Sequence, residues 1–198
     1  MGTSHYFDTD PPATSAPRTV PLALPDRTVA LRTDRGVFSA TRVDPGTQLL
    51  LMEAPPPPAT GDLLDLGCGY GPIAVVQALR SPAAHVWAVD VNARARALTI
   101  ENALAAGAAN VPAAAPGAVD PALRVAAIYS NPPVRVGKAA LHTLLTEWVP
   151  RGEVTWLVVS KHLGADSLAV WMGAERGWRV ERLVSRVSYR VLEVRPPG

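Results

Sequence analysis

One segment of the chain has the residue types needed to hold a nucleoside. The stretch DLLDLGCGYGP carries an acid and three glycines directly after an apolar run: Asp65, Gly67, Gly69 and Gly71. Glycines permit a tight turn and let the backbone approach a ligand closely. Asp90 follows about twenty residues later at the end of a second apolar run, where a carboxylate suits a ribose diol. Because Pro72 replaces the last glycine of the dinucleotide pattern, the segment predicts a nucleoside site, with a plain glycine-rich turn as the alternative.

A second segment, SNPPVRVGK, places a polar side chain in a rigid turn. Asn131 is followed by Pro132 and Pro133, directly after the apolar run VAAIYS. A proline pushes the residue before it into an extended conformation, so a strand should end here with Asn131 at its tip. Arg135 and Lys138 follow, and cations at a helix start oppose the helix dipole. We therefore expect them to contact phosphate groups, with a solvated helix start as the alternative.

The elements that must position these residues alternate between strand and helix. The pattern predicts helices at 70–80, 93–106, 139–149 and 167–176, each following an apolar strand, and a closing hairpin within WRVERLVSRVSYRVLEVR. Continuous apolar strands in this order indicate a mostly parallel sheet covered on both faces, with an antiparallel strand added by the hairpin. In such a sheet the carboxyl ends of the strands border one crevice. The glycine loop, Asp90 and Asn131 should therefore meet in one cleft.

The residues before this alternation form a different unit. Residues 20–39 alternate apolar and polar side chains with turn signals, which predicts short antiparallel strands. DPGTQLLLMEA predicts a turn, an N-cap at Thr47 and a short helix. The run PPPPAT is a stiff spacer. We expect an N-terminal arm and β-rich unit at 1–54, the spacer at 55–60 and an α/β domain at 61–198.

Composition narrows the class of protein. The 198 residues carry a net charge of +2 with a pI near 9.0, which permits contact with nucleic acid. Cys68 is the only cysteine, so no intramolecular disulfide can form, which fits a cytoplasmic protein. No apolar run reaches about 18 residues, so no membrane span is expected. The four histidines lack metal-ligand spacing, so no metal site is predicted. No oligomeric state follows from the sequence.

Together these motifs resemble class I S-adenosylmethionine-dependent methyltransferases. More narrowly, residues 20–195 resemble the small-domain relatives of ribosomal RNA guanine-N2 methyltransferases, through GVFS and VDPGTQLLL before the loop and SNPPVRVGK after it. The resemblance implies a Rossmann-like methyltransferase fold and S-adenosylmethionine as the cofactor. It also implies these cofactor-binding residues: Asp65, Gly67, Cys68, Gly69, Tyr70, Gly71, Asp90, Val91 and Asn131.

The chemistry of an amine acceptor explains the NPP turn. The lone pair of an exocyclic amine or amide is conjugated, so the nitrogen is a poor nucleophile. Two acceptors that bind its two hydrogens can turn the lone pair toward the methyl group, and the departing proton becomes acidic once the nitrogen is alkylated. The side-chain oxygen of Asn131 and the carbonyl of Pro132, held rigid by Pro133, could supply them. We expect these three residues to form the catalytic turn.

The resemblance implies RNA as the substrate, most specifically N2 of a guanine in ribosomal RNA or a ribosomal subunit. Methylation of a protein glutamine amide and a non-catalytic cofactor- or RNA-binding role are the alternatives. Val134, Arg135 and Lys138 are the predicted substrate-binding residues. Relatives acting on planar amines usually have an aromatic residue where Val134 stands, so stacking should come from elsewhere, with residues 5–7 (HYF) as a candidate or as an apolar anchor. Asp44 could close over the methionine end of the cofactor or simply cap a helix.

Overall fold

Nine strands, five α-helices and three short 3₁₀-helices make up the regular structure of the described residues. The computed structural model describes residues 13–133, 136–186 and 188–197. The strands are β1 (Arg18–Ala23), β2 (Thr28–Thr33), β3 (Thr60–Leu66), β4 (Ala83–Val89), β5 (Ala113–Ala114), β6 (Ala127–Ser130), β7 (Thr155–Ser160), β8 (Arg179–Arg186) and β9 (Tyr189–Arg195). The helices are α1 (Pro45–Glu53), α2 (Pro72–Arg80), α3 (Ala93–Ala105), α4 (Lys138–Trp148) and α5 (Ala165–Ala174).

The larger sheet has seven strands in the order β5-β4-β3-β6-β7-β9-β8. Strands β3 to β7 pair in parallel, and β9 joins β7 and β8 antiparallel. All four residues of β6 and five of the six in β7 are buried, as expected for strands covered on both faces. This confirms the predicted parallel sheet with its closing hairpin. From β3 the sheet grows first toward β4 and β5, and it then grows on the other side of β3 through β6 and β7. At this reversal of strand order a crevice opens at the carboxyl ends of the strands.

A small two-stranded sheet and α1 precede the large sheet. Strands β1 and β2 pair antiparallel, as predicted, with Arg18 opposite Thr33. Their buried side chains belong to the same apolar cluster as α1, α2 and the large sheet. Asn102 on α3 fixes β2 by accepting a hydrogen bond from the Arg32 N–H at 2.7 Å and donating to the Arg32 carbonyl at 2.8 Å. The N-terminal unit and the large sheet thus share one core, and the domain bounds given above stay a prediction.

The start of α1 differs from the N-cap predicted at Thr47 and agrees with the capping role given as an alternative for Asp44. Asp44, and not Thr47, is the N-cap, because its Oδ1 accepts hydrogen bonds from the N–H groups of Gly46 at 2.8 Å and Thr47 at 3.2 Å. Pro45 occupies the first helical position, where its fixed φ suits a helix and its missing N–H costs nothing. Thr47 lies inside the first turn and is buried. This shift brings the Thr47 side chain into the site described below.

The remaining helices agree with the predicted pattern to within a few residues. Helix α2 begins at Pro72 and not at residue 70, because Gly71 adopts a left-handed φ of 90° and acts as the cap. In the part of the chain that the structure describes, no helix combines the length and apolar character needed to cross a membrane.

Candidate functional site

A cavity of about 310 Å³ opens at the carboxyl edge of the large sheet. The ends of β3, β4, β6 and β7 line it, together with the start of β9 and the segment before α1. Its polar or backbone-exposing wall residues are Asp44, Gly67, Gly69, Asp90, Asn131, Ser160 and Tyr189. A smaller cavity beside it is lined by Thr47, Cys68, Tyr70 and Asn131, among others. The three predicted segments therefore meet in one cleft.

Two of the three loop glycines face this cavity. Gly67 and Gly69 have left-handed φ values of 78° and 57°, which glycine adopts without strain. A Cβ atom added at Gly69 would meet no atom within 4 Å, so the backbone there borders open space in which a ligand can approach. Gly71 instead packs against α3, because a Cβ atom there would lie 2.8 Å from Thr99 Cγ2. Gly71 thus allows α2 and α3 to pack closely, whereas Gly67 and Gly69 expose their backbone to the cavity.

Asp90 is held at the end of β4 by two backbone groups. Its Oδ2 accepts a hydrogen bond from the Gly69 N–H at 2.9 Å, and its Oδ1 accepts one from the Asn92 N–H at 2.9 Å. Each carboxylate oxygen has a further lone pair for a ligand hydroxyl. Burial raises the pKa of Asp90 above its usual value. Val91 follows with 40% of its surface exposed and lines the same cavity.

Asp65 lies behind the cavity wall and not on it. Its Oδ2 accepts a hydrogen bond from the Ala74 N–H in the first turn of α2 at 2.9 Å. Burial raises the pKa of Asp65 to about 8, and the charge of Asp90 adds to that rise. Cys68 is also buried, beside the Thr99 hydroxyl, and burial raises the pKa of its thiol. Asp65 therefore supports the loop from behind, and Cys68 fills the tight turn.

Asn131 lies at the end of β6 with its side chain anchored. The Nδ2 group donates hydrogen bonds to Asp44 Oδ1 at 2.9 Å and to Thr47 Oγ1 at 3.0 Å. Pro132 and Pro133 follow on the cavity wall. Pro133 Cδ lies 3.9 Å from the Cβ position of Gly67, so the NPP turn packs against the glycine loop. The Ser130 hydroxyl donates to the Leu66 carbonyl at 2.6 Å and joins the ends of β6 and β3.

The predicted substrate residues are placed only in part. Lys138 begins α4 and is exposed. Val134 and Arg135 lie outside the described residues, as does the HYF segment at 5–7.

Tyr189 and Phe38 also line the cavity. The sequence analysis included Phe38 only as part of the GVFS motif and did not single out Tyr189. Tyr189 is the first residue of β9 and pairs with Ser160 in the β7–β9 register. Its ring packs over the start of α1, because a Cβ atom at Gly46 would lie 2.7 Å from Tyr189 Cε1. The sequence did contain a signal for this placement of Tyr189. It is an aromatic residue beside the tip of the closing hairpin, and that hairpin joins the sheet next to β7, whose end lines the cavity.

The geometry suits an organic ligand more than a metal ion. Among the residues that the structure describes, no group of three or more His, Cys, Asp or Glu side chains could hold a metal. The cavity instead offers glycine backbone, the half-buried carboxylates of Asp44 and Asp90, and the anchored amide of Asn131.

Three comparisons identify similar proteins. The family model of the methyltransferase small domain matches residues 28–192. The uncharacterized protein YbxB of Bacillus subtilis is 35% identical over 169 residues, which cover 82% of this chain and 84% of YbxB. Ribosomal RNA small subunit methyltransferase C of Shewanella pealeana is 34% identical over 150 residues, which cover 70% of this chain and 42% of that protein. The chain thus spans less than half the length of this second relative.

A solved structure shares the fold. The 16S rRNA N2 G1207 methyltransferase RsmC of T. thermophilus, in complex with AdoMet and guanosine, aligns with a TM-score of 0.72 at 23% sequence identity. The alignment covers 94% of this chain and 52% of that chain. The seven-stranded sheet with its closing hairpin is therefore a Rossmann-like methyltransferase fold.

Proposed function

The chain belongs to the methyltransferase small domain family, and on that premise we propose that it methylates an exocyclic amine of RNA, most specifically N2 of a guanine in ribosomal RNA. Its cofactor is S-adenosylmethionine. One observation carries the proposal: Asn131 and Pro132 border the same cavity as Gly67, Gly69 and Asp90. A methyl donor and an acceptor amine can therefore meet there.

The described residues fit the cofactor. S-adenosylmethionine supplies a methyl group activated by a sulfonium centre. Asp90 would accept hydrogen bonds from the ribose hydroxyls through the free lone pairs of its two fixed oxygens. Gly67 and Gly69 would let the backbone lie against the ligand, because no side chain projects from them into the cavity. Val91 and Pro116 offer apolar surface for the adenine ring.

Asn131 and Pro132 align the acceptor. Their oxygens accept hydrogen bonds from the two hydrogens of the target amine, so the nitrogen lone pair points at the methyl carbon. The new N–C bond forms as the C–S bond breaks with its electron pair going to sulfur, and the alkylated nitrogen then releases a proton to water. Alignment by fixed dipoles is the contribution of the protein, and no general base is needed before the transfer.

RNA is the proposed substrate class for three reasons. A curated relative that matches 70% of the chain is named as a ribosomal RNA methyltransferase. The chain is basic, with a pI near 9.0, and Lys138 is exposed just beyond the NPP turn. Tyr189 places an aromatic ring on the cavity wall, where a planar base can stack and so replace the aromatic residue that is missing at position 134. We place the enzyme in the cytoplasm, with ribosomal RNA or a ribosomal subunit as its partner.

Transfer of tritium from labelled S-adenosylmethionine tests this function. Ribosomal RNA transcribed in vitro, reconstituted ribosomal subunits and total cell protein would be offered as separate acceptors, with Asn131→Ala as the inactive control. We expect label in RNA and N2-methylguanosine after digestion and mass spectrometry. Label in protein glutamine would favour the amide alternative. Absence of label from all acceptors, with cofactor binding retained, would favour a non-catalytic role.

A further inference from the structure

The two hydrogens on the side-chain nitrogen of Asn131 both have partners inside the protein. Nδ2 donates to Asp44 Oδ1 at 2.9 Å and to Thr47 Oγ1 at 3.0 Å. An asparagine side chain has two N–H donors and one acceptor oxygen, so only Oδ1 remains for a ligand. Turning the amide over would bring Oδ1 against the Asp44 carboxylate, where neither group carries a hydrogen. The Asp44 carboxylate, which can only accept, therefore sets the orientation, and the Thr47 hydroxyl adds a second partner to the amide in that orientation.

These two partners are themselves fixed. Asp44 Oδ1 also accepts from the N–H groups of Gly46 and Thr47 as the cap of α1, which prevents the carboxylate from rotating. Thr47 is 4% exposed. The ring of Tyr189 closes over Gly46 and leaves no room for a side chain there. The first turn of α1 is thus a rigid support for the end of β6.

We propose that Asp44 and Thr47 are positioning residues that hold the Asn131 amide with its oxygen toward the substrate nitrogen that receives the methyl group. The site would then select amino groups over substrate atoms that can only accept hydrogen bonds. The inference rests on the proposed methyl transfer to an amine. With Oδ1 of Asn131 facing outward, a target nitrogen that carries hydrogens can donate a hydrogen bond to it. A substrate ring nitrogen without hydrogen, or a carbonyl oxygen, would instead place one hydrogen-bond acceptor against another. A carboxylate at Nδ2 also polarises the amide and strengthens its oxygen as an acceptor.

Variants at the two positions can separate positioning from helix capping. Thr47→Val removes Oγ1 and keeps the branched shape, and Thr47→Ser is the matched control that keeps the hydroxyl. Asp44→Ser can still cap α1 but is too short to reach Nδ2. We expect kcat to fall about tenfold in Thr47→Val, which is the scale of one neutral hydrogen bond. In Asp44→Ser we expect a fall of about 10- to 10²-fold, which is the scale of one hydrogen bond to a charged group. Thr47→Ser should restore most of the turnover. In Thr47→Val, whose side chain lies outside the larger cavity, KM and cofactor affinity should change less than twofold.

A purely structural role predicts another pattern. Activity would then follow the loss of thermal stability, Thr47→Ser and Thr47→Val would behave alike, and KM would rise together with the fall in kcat. That result would overturn the proposal.

A double-mutant cycle gives a sharper test. In Asn131→Asp, two carboxylates face each other at hydrogen-bond distance. Asp44→Asn retains an oxygen for the cap and removes one of the two charges. It should therefore lower kcat several-fold in the wild-type background but raise it in the Asn131→Asp background. Equal factors in both backgrounds would show that the two side chains are not coupled and would contradict the proposal.

Hydrogen exchange of the Asn131 side-chain amide, measured by nuclear magnetic resonance, needs no methyl acceptor. The resonance pair is assigned by its disappearance in Asn131→Asp. We expect both hydrogens to exchange at least tenfold more slowly than those of an exposed asparagine, with faster exchange in Thr47→Val and Asp44→Ser. Rapid exchange in the wild type would overturn the arrangement. Slow exchange combined with no label in RNA would instead refute the proposed substrate and retain the oriented amide.

Discussion

Replacing Asp90 should weaken cofactor binding by a predictable amount. Asp90→Ala removes the acceptor for the ribose hydroxyls, and it also frees the N–H groups of Gly69 and Asn92, which each lie 2.9 Å from the carboxylate. A hydrogen bond to a charged group contributes about 1.5–3 kcal/mol, which corresponds to a roughly 10- to 10²-fold weaker affinity. Because the loop also loses its anchor, we expect the upper part of that range.

Asp90→Asn is the informative companion. The amide matches the carboxylate in shape but has one acceptor oxygen, so its NH₂ group must face the N–H of either Gly69 or Asn92. Two donors would then oppose each other, and we expect Asp90→Asn to bind the cofactor little better than Asp90→Ala. Asp120→Asn, at an exposed acid, is the control for a change of charge.

Titration calorimetry with S-adenosylmethionine and S-adenosylhomocysteine measures these affinities. Burial raises the pKa of Asp90, and the ionised form is the acceptor, so wild-type affinity should fall as the pH is lowered through that pKa. Asp90→Asn should not show this fall. An affinity of Asp90→Ala within twofold of the wild type at pH 8 would remove Asp90 from the cofactor site.

Three further changes probe stability, RNA contact and base stacking. Asp65 has a pKa of about 8 in the fold against an ordinary 3.8, so the folded chain holds a proton that the unfolded chain releases. The free energy of unfolding should therefore fall as the pH rises from about 4 to 8, by up to about 1.4 kcal/mol per pH unit, and denaturant titrations should show a flatter dependence for Asp65→Asn. Lys138→Ala should reduce the slope of log RNA affinity against log salt by about one, and the sequence predicts the same for Arg135→Ala. Arg124 precedes β6 at the opposite edge of the sheet, so Arg124→Ala is the control and should leave the slope unchanged. Tyr189→Leu should raise the KM for RNA roughly tenfold at unchanged cofactor affinity, since stacking contributes about 1–3 kcal/mol per base, and an equal rise in Tyr189→Phe would argue against stacking.

Local sequence determined the parts of the site that depend on strand ends. Glycines 67 and 69, Asp90 and Asn131 each follow an apolar run, and parallel strands end at one edge of the sheet, so their convergence could be predicted. The fold class followed from the same alternation. The N-cap of α1 was predicted wrongly at Thr47, because aspartate and threonine are both good caps and the backbone alone decides which of them precedes the first turn.

Tertiary structure alone decided which groups touch one another. The bond between Asp44 and Asn131 joins the start of α1 to the end of β6, and no local periodicity relates those positions. Packing of α2 and α3 placed Asp65 and Gly71 behind the cavity wall, although their spacing matches a ligand loop. Tyr189 reaches the cavity because β9 pairs antiparallel with β7. The orientation of the Asn131 amide depends on the first of these contacts, since a side-chain amide has no intrinsic preference between its two flipped orientations and takes the one that its partners can satisfy.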